Sequence, residues 1–241
     1  MILNNLQFGY QVPYLTSDFL EFNLGQAIPL IGANGAGKST FLKTIAGLIP
    51  HSKGEIIIEN QSLTKLSLQE RSKKIAYVPS TPPLIDQMRV NEYIALGRTP
   101  FLGLFGNLQQ KDKEIIEQAI LKLGLTPYKE RFIHELSDGE KQLCTLAKAL
   151  VQDAPVILLD EPSAFLDYAN RNRIVELFKN LAKQENKLFI FSTHDIDLID
   201  REFQEVLYID VTENKLIKGN ISLNKDAILE KAFNRNLGSF H

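Results

Sequence analysis

The apolar residues Ile115, Ile116, Ala119, Ile120 and Leu123 recur on one helical stripe, and Gly124 directly after them predicts a stop. Further on, Leu143, Leu146, Ala147 and Leu150 share a face in the same rhythm. From about Met88 to Val151 the chain therefore reads as helical. The period changes afterwards. Val156-Ile157-Leu158-Leu159 and Leu188-Phe189-Ile190-Phe191 are short unbroken apolar runs, as expected of strands buried on both faces of a parallel sheet. Residues 152 to about 200 thus alternate strand, helix and strand, which implies a parallel sheet with covering helices. Near the start, strand-like runs such as Phe19-Leu20-Glu21-Phe22-Asn23-Leu24 alternate with turn residues, and Gly54 to Glu59 adds another short strand. Leu207 to Val211 and Lys215 to Lys218, around Glu213-Asn214, read as a closing hairpin. The expectation is one α/β domain with a mixed sheet: an antiparallel β part and core over 1–87, a helical insertion over 88–151, and the rest of the core with the hairpin over 152–241.

Three short segments carry candidate chemistry. The apolar run Ala27-Ile28-Pro29-Leu30-Ile31 enters Gly32-Ala33-Asn34-Gly35-Ala36-Gly37-Lys38-Ser39-Thr40, a complete GxxxxGKS/T loop, and a helix from Lys38 to roughly Leu48 is expected after it. Glycines let backbone N–H groups turn onto phosphate oxygens, Lys38 reaches the β- and γ-phosphates, and Ser39 can place its hydroxyl on Mg²⁺. The helix adds its positive dipole end to the same anion. The second segment is Asp160-Glu161, at the end of the Val156–Leu159 run. Asp160 can support Mg²⁺ through water, and Glu161 is placed to polarise an attacking water. In the third, Leu136-Ser137-Asp138-Gly139-Glu140-Lys141-Gln142, Ser137 and Glu140 have the spacing of a capping box. Ser137 and Gly139 at a helix N-terminus also make a second anion site, and both readings can hold at once.

Composition sets limits. With 241 residues, 44% of them hydrophobic and 23% charged, the chain is long enough for one well-buried unit of this kind and no more. A net charge of −2 provides no sequence-wide basic field, which disfavours a nucleic-acid partner. The single cysteine, Cys144, can form no internal disulfide and is expected to be a reduced, buried cytoplasmic thiol. No apolar stretch approaches the roughly 20 residues of a membrane helix, and Met1 to Asn5 does not look like a secretory signal. Membrane association is therefore expected only through a partner.

Residues 136–142 resemble the LSGGQ-type signature of ATP-binding cassette (ABC) ATPases, and the resemblance spans essentially the whole chain. It implies a P-loop NTPase fold and, residue by residue, a set of roles. Tyr10 stands at the place of the aromatic that stacks on adenine. Ser163-Ala164-Phe165-Leu166-Asp167 resembles the D-loop of the dimer interface. Ser192-Thr193-His194-Asp195 is similar to the switch segment whose His contacts the γ-phosphate. Lys38, Glu161 and His194 are then the catalytic set. Asn34, Gly35, Ala36, Gly37, Lys38, Ser39 and Thr40 would bind ATP, with Ser137 and Gly139 serving the nucleotide of a second copy.

Two positions depart from the family pattern. Asp138 replaces a signature Gly, a mild change if the backbone there keeps φ negative. Ser80 stands where the family usually has a metal-reaching Gln. It is shorter by about three heavy atoms, so its grip on Mg²⁺ would need backbone movement or a bridging water.

Asn91 to Gly103 resembles the stretch found in importers of iron chelates, haem and vitamin B12, and the Ala164-Phe165-Leu166-Asp167 form of the D-loop is similar to that group. This implies a homodimer at the cytoplasmic face of the cell membrane, bound to a permease and working with an extracytoplasmic solute-binding protein. The apolar residues Phe101, Leu102, Leu104 and Phe105 either pack the insertion or line the groove for the permease. Another ABC transporter class, or a soluble non-transport ABC ATPase, is the alternative reading.

Overall fold

The computed structural model describes residues 1–10, 13–81, 85, 87–103, 106–164, 166 and 168–233. The chain opens with β1 (Ile2–Phe8), β2 (Leu15–Ser17), β3 (Leu20–Glu21) and β4 (Ala27–Ile31), which runs through the glycine loop into α1 (Lys38–Ile45). Next come β5 (His51–Ile58), β6 (Gln61–Ser62), α2 (Leu68–Lys74) and β7 (Ile75–Val78). The insertion carries α3 (Val90–Ala95), α4 (Gln110–Lys122) and α5 (Asp138–Val151), joined by 3-10 turns. The chain closes with β8 (Val156–Leu159), α6 (Tyr168–Glu185), β9 (Leu188–Ser192), α7 (Ile196–Glu202), β10 (Glu205–Asp210), β11 (Lys215–Asn220) and α8 (Ile221–Phe233).

Among the described residues the strands form one mixed sheet, ordered β6-β5-β1-β2-β11-β10-β4-β9-β8-β7, with β3 on β1. The strands from β10 through β4, β9 and β8 to β7 pair in parallel, whereas β1, β2, β3, β5 and β6 pair antiparallel. The two regions join through the parallel pairing of β2 with β11, in register Lys215↔Thr16 and Leu216↔Ser17. The apolar runs are unbroken because both faces are covered. Ile157, Leu159, Phe189 and Phe191 pack into one core layer, and Val156, Leu158, Leu188 and Ile190 into the other.

Several boundaries differ from the pattern. The strand expected over Phe19 to Leu24 shrinks to Leu20–Glu21, since the chain turns at Gly25 with φ +84. The helix α1 ends at Ile45 rather than near Leu48, because Gly47 turns left-handed at φ +71. Gly124 closes α4 as expected: at φ +68, with Leu125 N–H on the Ile120 carbonyl at 2.9 Å, it completes a Schellman-type end. The tail is more than a hairpin, for α8 follows it. Non-helical torsions at Asn224 break the α8 periodicity, so no apolar stripe announces it.

In the insertion, Arg98 and Asp112 are both buried, with Arg98 Nε 2.8 Å from Asp112 Oδ1. Arg98 also donates to the Val151 carbonyl at 2.7 Å and lies 4.2 Å from the centre of the Phe101 ring. The backbone N–H of Gln109, foremost, and Arg98 hold the Asp112 carboxyl below the usual carboxylate range. Its stabilising effect is therefore present above the unfolded value, about pH 3.9, and is lost as pH falls further. Asp112→Ala leaves the guanidinium buried and unpaired, and is expected to lower unfolding stability by about 3–5 kcal/mol. Urea unfolding at pH 7 measures it. A change under about 1 kcal/mol would mean that the pair is not what ties these elements together.

Candidate active site

Parallel pairing brings the ends of β4, β9 and β8 side by side, with Leu30 opposite Ser192 and Phe191 opposite Leu159. Crevices at the carboxyl ends of such strands are where open α/β sheets place ligands. The loop leaving β4 turns through Gly35 at φ +78 and Gly37 at φ +106. A Cβ on Gly37 would sit 2.4 Å from Leu15 Cδ1 and 2.8 Å from the Tyr14 hydroxyl, so only glycine fits there. Asn34, Gly35 and Ser39 are exposed on this loop, Ala36 and Gly37 half-buried, and Thr40 buried. Lys38 bends back over the loop and donates to the carbonyls of Gly32 at 2.8 Å and Ala33 at 3.0 Å. Burial lowers its pKa, opposed by the nearby Glu161 and Asp160.

Across the crevice, Asp160 is buried at the end of β8. Its Oδ1 accepts from Ser192 Oγ at 2.8 Å, and its Oδ2 faces the Tyr77 hydroxyl at 3.4 Å. Burial, first, and the adjacent carboxylate raise the pKa of Tyr77, which stays a neutral donor. The same Ser192 Oγ accepts the Glu161 N–H at 2.8 Å. Glu161 has φ +48, a left-handed conformation that costs a side-chain-bearing residue about 1–3 kcal/mol. Held so, its Oε1 lies 2.6 Å from His194 Nε2, and both side chains are part-exposed to the crevice. A carboxylate, an imidazole and a lysine therefore converge where a terminal phosphate and a water can meet.

Other candidates lie on separate elements. Tyr10 is 62% exposed and its hydroxyl accepts from Lys43 at 3.3 Å, leaving the ring open to stack. Ser137 caps α5 and Glu140 answers it, with Ser137 N–H to Glu140 Oε2 at 2.8 Å and Glu140 N–H to Ser137 Oγ at 3.3 Å. Asp138 begins α5 as an ordinary helical residue, so the loss of a glycine there needs no backbone change. Gly139 lies in the same first turn. Ser80 is half-buried just past β7, and beside it Gln142, 2% exposed, reaches the Pro79 carbonyl at 3.4 Å. Of the D-loop, Phe165 and Asp167 lie outside the described residues. Cys144 is buried as expected, and burial, with Glu140 adding, pushes its thiol up to about 12.

Sequence reasoning missed Ser192 and Tyr77 as partners of the carboxylates. Ser192 had a signal, since it is a hydroxyl closing an otherwise apolar buried run. Tyr77 had none, because its contact with Asp160 spans 83 positions.

The ABC transporter family model matches residues 15–164. The iron(3+)-hydroxamate import ATP-binding protein FhuC of Bacillus subtilis is 33% identical, with 80% of this chain and 72% of that protein aligned. The petrobactin import ATP-binding protein FpuD of Bacillus anthracis is 30% identical over 79% of this chain and 70% of its own length. Among solved structures, an inward-facing transporter assigned to the metal-chelate type superposes with a TM-score of 0.82 at 26% identity, covering 96% of this chain and 87% of that one. With the glycine loop, the paired carboxylates and the capped signature helix in one fold, the chain belongs to the ATP-binding cassette (ABC) transporter family, as one of its ATPase subunits.

Proposed function

We propose that this chain hydrolyses ATP to drive an importer of iron chelates, with haem and vitamin B12 as solutes of the same group. The observation that carries the hydrolytic reading is the 2.6 Å contact between Glu161 and His194 opposite Lys38. Phosphoryl transfer asks a protein mainly for positioning and charge stabilisation. Tyr10 stacks the base, a contact worth about 1–3 kcal/mol by analogy with base-aromatic stacking. Backbone N–H groups of Gly35 and residues 37–40 face the phosphates, and Lys38 exchanges its two carbonyl partners for phosphate oxygens. Glu161 takes a proton from the attacking water while His194 holds that carboxylate and faces the γ-phosphate. Ser192 fixes both carboxylates, through Asp160 Oδ1 and the Glu161 N–H.

The donor set suits Mg²⁺, a hard ion that is bound through one or two carboxylates and substrate phosphates. The described residues gather no group of three His, Cys, Asp or Glu for a metal, so Ser39 and Asp160 would share it with phosphate oxygens and water, and Ser80 only through water. The ion supplies charge neutralisation on the phosphates. Ser137 and Gly139 serve the nucleotide of a second copy, so two chains complete two sites.

No described helix is long and apolar enough to cross a membrane, so the proposed place at the cytoplasmic face depends on the permease. Between α2 and the 3-10 turn Leu96–Phe101 lies a groove bordered by Leu68, 80% exposed, Leu96, 45% exposed, and Pro100, and Phe101, 41% exposed, follows directly in the chain. Its apolar rim suits a helix of a membrane subunit. Leu104 and Phe105 lie outside the described residues. Affinity capture of the tagged chain from detergent-solubilised native membranes with ATP is expected to recover a polytopic permease, with an extracytoplasmic solute-binding protein encoded beside it. Phe101→Asp is expected to lose the permease while keeping ATP binding. Recovery of ribosomes, or of the chain alone, would reject the importer reading.

A further inference from the structure

The carbonyl end of α8 lies directly against the phosphate loop. Ala232, fully buried, accepts the Ala33 N–H at 2.9 Å, and one residue earlier the Lys231 carbonyl accepts the Val211 N–H at 3.1 Å. The loop and the residue after β10 thus supply donors to the carbonyls of this turn. The half-exposed side chain of Lys231 makes an ion pair with the same turn from outside, Nζ lying 3.2 Å from Asp210 Oδ2, a buried oxygen with no hydrogen-bond partner of its own among the described residues. Asp210 is itself wholly buried and pinned at Oδ1 by Thr212 N–H at 3.0 Å, Thr212 Oγ1 at 2.6 Å and Glu213 N–H at 3.3 Å. Beneath, Ile228 and Tyr208 both close on Gly219, where a Cβ would stand 3.0 Å from Ile228 Cδ1 and 3.0 Å from Tyr208 Cε1. The α8 end is thus fastened at its backbone, its side chains and its ion pair.

The first residues of the phosphate loop are consequently held from two sides. Their carbonyls, at Gly32 and Ala33, are held by Lys38, and the Ala33 N–H is held by α8. Only the first restraint sits on a group that a phosphate would attract away. When Lys38 leaves for the nucleotide, Ala33 keeps two backbone bonds, its carbonyl on the Ala36 N–H at 3.2 Å and its N–H on Ala232, and the second of these is the one supplied from outside the loop.

We propose that the last turn of α8, locked by the Asp210–Lys231 pair, is a positioning element of the nucleotide site that keeps the phosphate loop preformed for a nucleoside triphosphate. The inference rests on the ATP reading given above. Its positioning residue is Lys231, which touches no phosphate and acts through the Ala232–Ala33 bond. Preorganisation of this kind acts on binding, because a loop that must be reordered when phosphate arrives takes free energy from the complex.

The test is ATP affinity of the full chain by calorimetry, together with exchange of the Ala33 amide by NMR, well below the unfolding temperature. Lys231→Met is expected to weaken ATP binding about tenfold and to speed Ala33 exchange at least as much, with turnover at saturating ATP within about twofold of wild type. Lys231→Arg, which keeps the charge, should restore both. Asp210→Asn, which keeps the Oδ1 acceptor for Thr212, should repeat the Lys231→Met result and serves if that variant folds poorly. ATP affinity within twofold of wild type in Lys231→Met or Asp210→Asn overturns the inference, whatever Ala33 does. Absence of ATP binding by the wild-type chain would instead overturn the nucleotide reading itself.

Discussion

Glu161→Gln is expected to slow single-turnover ATP hydrolysis by at least about 100-fold while leaving ATP affinity near the wild-type value. The change is isosteric, and its backbone demands are already met: the N–H stays on Ser192 and the residue keeps φ +48. The amide can still reach His194 Nε2, which the carboxylate now meets at 2.6 Å. Only proton acceptance is lost. General-base contributions of about 10²–10⁴ set the scale. Since hydrolysis stalls after ATP has filled both sites, the variant should also accumulate as an ATP-bound pair of chains, measurable by light scattering. Turnover within a few-fold of wild type would remove Glu161 from the role of base and leave His194 as the group to test.

Lys38→Ala acts one step earlier, on binding. Lys38 is 6% exposed and sits over the loop with its ammonium on two carbonyls, which the proposed nucleotide's phosphate oxygens would replace. Removing one partner of a buried, charge-assisted contact costs about 2–5 kcal/mol, which is about 30-fold or more in affinity. Calorimetric titration with ATP should show that loss at once. The carbonyls of Gly32 and Ala33 also lose their donor, so the empty loop should loosen as well. Lys38→Arg is not expected to rescue, because a planar guanidinium cannot replace a compact ammonium inside a loop of backbone dipoles. Unchanged affinity in Lys38→Ala would mean that the nucleotide is held elsewhere.

The site's raw materials were legible in the sequence because each is a local pattern. The glycine spacing of 32–37, the apolar run into Asp160-Glu161 and the Ser137–Glu140 box need no knowledge of distant residues. What was illegible is their coordination. Ser192 binds Asp160 and Glu161 across 32 and 31 positions, and no local period announces such a pairing. Gln142 lies in the signature segment, yet its reach to Pro79 depends on how α5 lies across β7. The fold followed the same division. Helix stripes and buried strand runs came through, whereas α8 was hidden by the kink at Asn224, and the β2–β11 junction by its 199-residue register, Lys215 on Thr16.

That junction restricts how the molecule can move. Because β2 is hydrogen-bonded to β11, and β11 to β10 and so to β4, the strand pair next to Tyr10 and the strand feeding the phosphate loop belong to one continuous plate. The proposed adenine platform and phosphate cradle therefore ride on the same sheet. For the proposed ATPase, a stroke is then expected in the helical insertion or between two chains, rather than between these two parts of one sheet.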